Sequence, residues 1–196
     1  MLDNLICKIA QKGVENPEER AVIEYGLKQG VNILLGLIVM IIIGFLMGIL
    51  GESVIFIFTF VPLRIFAGGY HSKTQFRCAV VSVLLVTVTF CGIIYIVNSF
   101  FVFFLMLFSF LVIYKYAPVQ NGKRPLDELE FIIYKKRSRV IMGVEFLVFI
   151  VLFIIGYQKG TNILMCAWLL EAVLILMEKM NLPHLRGKDL VEKSVK

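Results

Sequence analysis

Charge is scarce in this sequence, and histidine scarcer still. Only 17% of its 196 residues are Asp, Glu, Lys or Arg, and there are two histidines. Soluble domains carry about a quarter charged residues and about half apolar ones. Here 59% are hydrophobic and the mean hydropathy is +0.88, which excludes an ordinary water-soluble domain. The four cysteines (Cys7, Cys78, Cys91, Cys166) form no CxxC pair and no disulfide framework. His71 with Cys78 supplies two ligands, too few for zinc, and His184 and Cys7 are remote, so neither metal nor cofactor is expected. Internal repeats and low-complexity tracts are missing. So is a cleavable signal peptide: the first apolar run starts only at Val31 and continues as a full span.

What the sequence does have is long apolar runs, at residues 31–50, 53–67, 79–98, 100–117, 140–157 and 161–180. Most approach the ~20 residues that cross ~30 Å of hydrocarbon at ~1.5 Å per residue. The second is short and carries Arg64 near its end, so a partial, tilted or interfacial span is expected there. The fold class is therefore an all-α, polytopic integral membrane protein with about six transmembrane helices. Cys91 and Cys166 fall inside spans, where a small buried hydrophobe is the ordinary role.

The basic residues orient the chain. With a cytoplasmic N-terminus and six spans, nineteen of the 20 Lys and Arg fall at the N-terminal segment, the two inner loops or the C-terminal end. Only Lys159 is left outside. The positive-inside rule then places both termini in the cytoplasm. Residues 1–30 form a cytoplasmic or interfacial amphipathic segment, 31–180 the transmembrane domain and 181–196 a cytoplasmic tail. Leu2, Leu5, Ile6 and Ile9 recur at helical spacing, and "NPEER" reads as a helix start with Asn16 as cap and Pro17 in the first helical position. These are peripheral helices on the inner surface or a solvated segment; the sequence leaves both open.

The stretch 115–139 places Asp127, Glu128 and Glu130 ahead of a basic cluster at 135–139, a polarity that suits a helix dipole. It is either a topogenic anchor or a docking site for an acidic peptide or anionic headgroups. The bilayer is a partner; nucleic acid is not.

"RIFAGGYHSKTQFRCAV" (64–80) is the polar patch that asks for chemistry. A cysteine becomes a nucleophile when neighbouring cations or an imidazolium shift its thiol toward thiolate. Arg77 precedes Cys78, Arg64 and Lys73 are near, and His71 can accept and return a proton. On one straight helix, seven residues separate the two Cα atoms by roughly 10 Å, whereas proton transfer needs ~3 Å or one bridging water. Gly68 and Gly69 are expected to break the helix, leaving His71 on the loop and Cys78 on the first turn of the third span. A His and a Cys at this spacing are by themselves as compatible with coincidence as with catalysis.

Arg64, Gly69, His71 and Cys78, read as R-x4-G-x-H-x6-C, resemble the accessory gene regulator protein B family. So do "FAGGYHSKT", the later "YAPVQNGKRP" and the chain length. The resemblance implies a membrane cysteine endopeptidase of Gram-positive bacteria, with its active site on the cytoplasmic side. Its implied partner is a quorum-sensing peptide precursor with an acidic C-terminal tail. Cys78 and His71 would be the catalytic pair, with Cys78 cutting off the tail through a thioester. The precursor's own thiol or hydroxyl would then close a thiolactone or lactone. Arg64 and Gly69 are candidates for support, and Lys135, Lys136 and Arg137 for binding the tail. A homodimer is also implied.

Glu145 and Glu171 lie inside spans, where ionisable groups are costly unless paired or functional. Either is expected to pair with an arginine or to orient His71. The competing reading is a membrane transporter or exporter of a small peptide, with Glu145, Glu171 and Arg64 on a pathway and the His–Cys pair incidental. A third is a non-enzymatic membrane partner or assembly factor.

Overall fold

The computed structural model describes residues 17–70, 75–96, 99–119 and 128–194, and their side chains outside 17–22, 24–25, 28–29, 32, 75–79, 99 and 181–194. The elements are α1 (Pro17–Leu46), α2 (Leu50–Ala67), α3 (Gln75–Tyr95), α4 (Ser99–Tyr116), α5 (Glu128–Ile155) and α6 (Gln158–Ser194). Among the described residues there is no strand. An isolated parallel bridge joins Gly68 to Val119. Each of the six apolar runs corresponds to one helix, because a chain in lipid must satisfy its backbone polar groups within each segment.

Two boundaries differ from the sequence reading. α1 runs without a break through residue 30, so the end of the N-terminal segment and the first span are one rod. Residues 2–9 and Asn16 lie outside the described residues. α2 begins at Leu50 rather than 53, and its 18 residues make it one of three helices among the described residues long and apolar enough to cross a membrane. The other two are Glu128–Ile155 and Gln158–Met180. α2 gains its length from Leu50, the last residue of the first apolar run, and from Gly51 and Glu52, which lie between the first two runs and continue as helix here.

α6 is the axis of the bundle. It packs against α2, α3, α4 and α5, while α1 lies on α2 and α3. In its spanning window 72% of residues are buried, against 17% for α5, so α6 is the core and α5 faces lipid. Thr161, Asn162, Ala167 and Ala172 are all buried on α6, and such small or polar side chains let helices approach closely. The outer faces carry large apolar groups such as Phe58, Leu84, Phe104 and Ile154, the surface that acyl chains accept.

Aromatic rings close the gap between α4, α5 and α6. Phe110 and Phe146 flank Trp168, with centroids at 5.9 and 6.3 Å. Trp168 Nε1–H donates to Glu145 Oε2 at 2.6 Å, joining α6 to α5. At the start of α6, Asn162 Nδ2 donates to Ile96 O at 2.6 Å and Ile93 O at 3.3 Å, capping the end of α3. Gln158 Nε2 in turn donates to Asn162 Oδ1 at 2.9 Å.

α2 and α6 run parallel, and two ion pairs mark their register. Lys159 lies 3.6 Å from Glu52 near the start of both helices, and Arg64 lies 3.8 Å from Glu171 toward the far end. Both intervals are twelve residues, or about 18 Å of helix. The first pair is exposed and contributes little energy, at most about 1 kcal/mol.

Replacing Asn162 by Leu removes the caps on α3 and leaves their carbonyls without this donor. We expect a loss of about 1–3 kcal/mol. In detergent it should appear as a thermal midpoint lower by several degrees.

Candidate active site

The last carbonyls of a helix have no partner within it, and in a membrane each needs a donor from elsewhere. At the end of α2 these donors converge. Val119 N–H donates to Ala67 O at 2.9 Å, and Gly68 N–H closes the helix on Arg64 O at 3.2 Å. Arg64 folds back past the end of its own helix. Its Nη1 donates to Gly68 O at 2.6 Å and its Nη2 to Tyr70 O at 2.7 Å. Tyr70 N–H then crosses to Leu174 O on α6, at 3.0 Å.

The glycines make this fold-back feasible. Gly68 and Gly69 have φ of +77° and +130°, a region that residues with a Cβ rarely enter. A Cβ at 68 would strike Val119 O, and one at 69 would strike Arg64 Nη1. Gly69 and Arg64, both expected as support residues, thus form one unit: the missing side chain leaves room for the guanidinium.

Behind the guanidinium stands Glu171. Its side chain is 0% exposed, against 19% for Arg64. At 3.8 Å the two make an ion pair rather than a hydrogen bond, and among the described residues no donor reaches either carboxylate oxygen. A buried charge without a partner is costly, so Arg64 and Glu171 each account for the other's presence in an apolar bundle.

α2 stops at Ala67, ahead of both candidate residues, and the described part of α3 begins at Gln75, three residues before Cys78. His71 follows directly on Tyr70 and lies outside the described residues, as does the Cys78 side chain.

The basic cluster of α5 divides between two faces. Lys135, Lys136 and Arg139 share one face of α5 with Phe131, Ile132 and Val140. Arg137 points elsewhere, its guanidinium 5.4 Å from the Phe66 ring on α2. Phe66 also stacks edge-on with Tyr134 at 5.7 Å. The three residues expected to bind a tail are therefore not one surface. Arg139 joins the two lysines, and Arg137 lies against the last turns of α2.

Among the described residues no group of three or more His, Cys, Asp or Glu could hold a metal. Cys91 and Cys166 are free thiols, half-buried and buried, inside α3 and α6.

A family model, accessory gene regulator B (AgrB), matches residues 2–176. The chain belongs to the AgrB family. An AgrB-like protein of Clostridium perfringens SM101 is 28% identical over 180 residues, covering 83% of this chain and 82% of its own length. An AgrB-like protein 2 of C. perfringens strain 13 is 27% identical over the same extent, and AgrB-like protein 1 of that strain is 30% identical over 130 residues (62% of this chain, 66% of its own). No solved structure matches the chain significantly. With three helices able to cross a bilayer, this AgrB family member is a multi-pass membrane protein.

The site contains three groups that sequence spacing does not bring to it: Val119, Leu174 and Glu171. Two act through backbone atoms, which carry no residue signature. Glu171 did carry a signal, as an acid inside an apolar run, but its partner lies more than a hundred residues away.

Gly69→Ala tests the unit directly. The added methyl displaces Arg64, and a strain of about 1–3 kcal/mol loosens the bend. Amide exchange at Tyr70 should accelerate by roughly 5- to 150-fold, read by hydrogen exchange in detergent.

Proposed function

We propose that this AgrB family member is a cysteine endopeptidase that trims and helps cyclise a peptide pheromone precursor at the cytoplasmic face of the membrane. The observation that supports the reading is the bend at 68–70 held by Arg64, which ends α2 and immediately precedes His71, with Cys78 near the described start of α3. Family membership over residues 2–176 supports a role in accessory gene regulator peptide processing.

The steps balance as follows. His71 takes the Cys78 thiol proton, and the thiolate sulfur attacks the carbonyl carbon at the tail junction. The C–N bond breaks, His71 returns the proton to the leaving amine, and the tail departs with a new N-terminus. The rest of the precursor stays on Cys78 as a thioester. The precursor's internal thiol then gives up its proton and displaces Cys78, closing a thiolactone and restoring the free thiol. The second exchange keeps the bond type, so it needs no energy source of its own. Amide to thioester is uphill, so removal of the tail draws it forward. Excluding water keeps the acyl-enzyme from hydrolysis.

Lys135, Lys136 and Arg139 offer an acidic tail a cationic helix face interleaved with apolar side chains. The transport reading needs its acids on a wet path. Glu171 is instead fully buried against Arg64, and Glu145 accepts the Trp168 N–H.

The test uses liposomes holding the purified protein and a synthetic precursor with an internal cysteine and an acidic tail. The unmodified protein should release tail and form a thiol-labile adduct. Cys78→Ala and His71→Ala should lower release by roughly 10³-fold or more. Persistent cleavage by Cys78→Ala would sink the mechanism. Lys135→Glu combined with Lys136→Glu should raise KM about tenfold, near 1.4 kcal/mol of binding, and leave kcat unchanged.

A further inference from the structure

Among the described residues, Glu171 is the buried acid whose two oxygens find no hydrogen-bond donor. Glu145, the other acid inside the spans singled out above, is used differently, as the acceptor for Trp168. The described partner of Glu171 is the Arg64 guanidinium, and that guanidinium holds the carbonyls of Gly68 and Tyr70. One turn further along α6, Leu174 O holds the Tyr70 N–H. α6 therefore grips the bend twice, by backbone at 174 and by charge at 171.

We propose that Glu171 is a positioning residue for the endopeptidase reaction: it fixes the Arg64 guanidinium against Gly68 and Tyr70, and so sets the direction in which the chain delivers His71. The proposal rests on the proposed function. Carbonyl dipoles carry only partial charge, and a cation inside an apolar bundle is held in place by a full counter-charge. Solvent cannot supply one at a side chain that is 0% exposed. With Glu171 neutral, Arg64 has reason to move outward toward water, since its long stem lets the head reach the interface. The Gly68 and Tyr70 carbonyls then lose these donors, and the bend that immediately precedes His71 is no longer held by Arg64. Misplacing a catalytic group by about 1 Å costs on the order of 10²-fold in rate.

Two readouts test this, one independent of any substrate. The first is tail release in liposomes from the synthetic precursor described above. The second is the pH profile of Cys78 alkylation by iodoacetamide, with Cys7, Cys91 and Cys166 replaced by Ala. Glu171→Gln should lower kcat by on the order of 10²-fold with KM within about twofold. Its alkylation profile should move up toward that of a free thiol, near pH ~8.5. Glu171→Asp keeps the charge and should recover most of the rate, to within about tenfold of the unmodified protein; it also carries the comparison if Glu171→Gln fails to reach the membrane. Arg64→Lys with Glu171→Gln should be no slower than the slower single variant, because both act through one contact. Glu145→Gln is the control for a buried acid away from the bend. It should lower the thermal midpoint and leave both readouts unchanged.

An unchanged kcat and alkylation profile in Glu171→Gln would overturn the proposal. So would a defect confined to the thermal midpoint, or rate losses that simply add in the double variant. If the unmodified protein releases no tail, the endopeptidase reading fails, and the alkylation profiles alone decide whether Glu171 positions the site.

Discussion

The Arg64 guanidinium is the point at which α2, the bend after it and α6 are tied together. A long cationic side chain would ordinarily extend to water, and this one reaches past the end of its helix to serve two carbonyls of the bend, those of Gly68 and Tyr70. That choice dictates its surroundings. It forbids a side chain at residue 69, requires φ values that suit glycine at 68 and 69, and needs a counter-charge from the neighbouring helix. Two glycines, one arginine and one glutamate are therefore a single solution to one problem: turning the chain at the end of a spanning helix without orphaned carbonyls in the bend.

That solution also explains why the polar stretch lies where it does. Lipid tolerates irregular backbone only where protein or water meets its hydrogen-bonding needs. The bend at 68–70 is supplied from three directions, by Arg64, by Val119 and by Leu174. The polar residues of the other spans are spent differently. Asn162 caps α3, and Glu145 with Trp168 joins α5 to α6.

Much of the fold was legible in the sequence, since apolar runs translate directly into helices once the solvent is lipid. The runs ending near 67 and starting near 79 fell close to the true ends of α2 and α3 because Gly68 and Gly69 announce a stop. The start of α1 was less visible: "NPEER" looks like a separate helix, yet nothing between it and Val31 forces a break. At the site, sequence separates what folding joins. Arg64 and Gly69 stood out within one motif, and Glu171 stood out as an acid in an apolar run. Neither observation identified the other as partner, because periodicity along a helix says nothing about which face meets which neighbour. Lys135, Lys136 and Arg137 looked like one cluster for the opposite reason. Consecutive residues on a helix point about 100° apart, and Arg137 turns to Phe66 while the lysines share another face.

The matched ion pairs on α2 and α6 bear on a different property, the response to the lipid environment. Sliding α2 past α6 would part Arg64 from the fully buried Glu171, whereas the exposed Lys159–Glu52 pair offers little resistance. When bilayer thickness changes, spanning helices accommodate by tilting. The buried pair therefore favours a joint lean of the two helices at the end where the bend lies, and leaves the Lys159–Glu52 end freer to adjust.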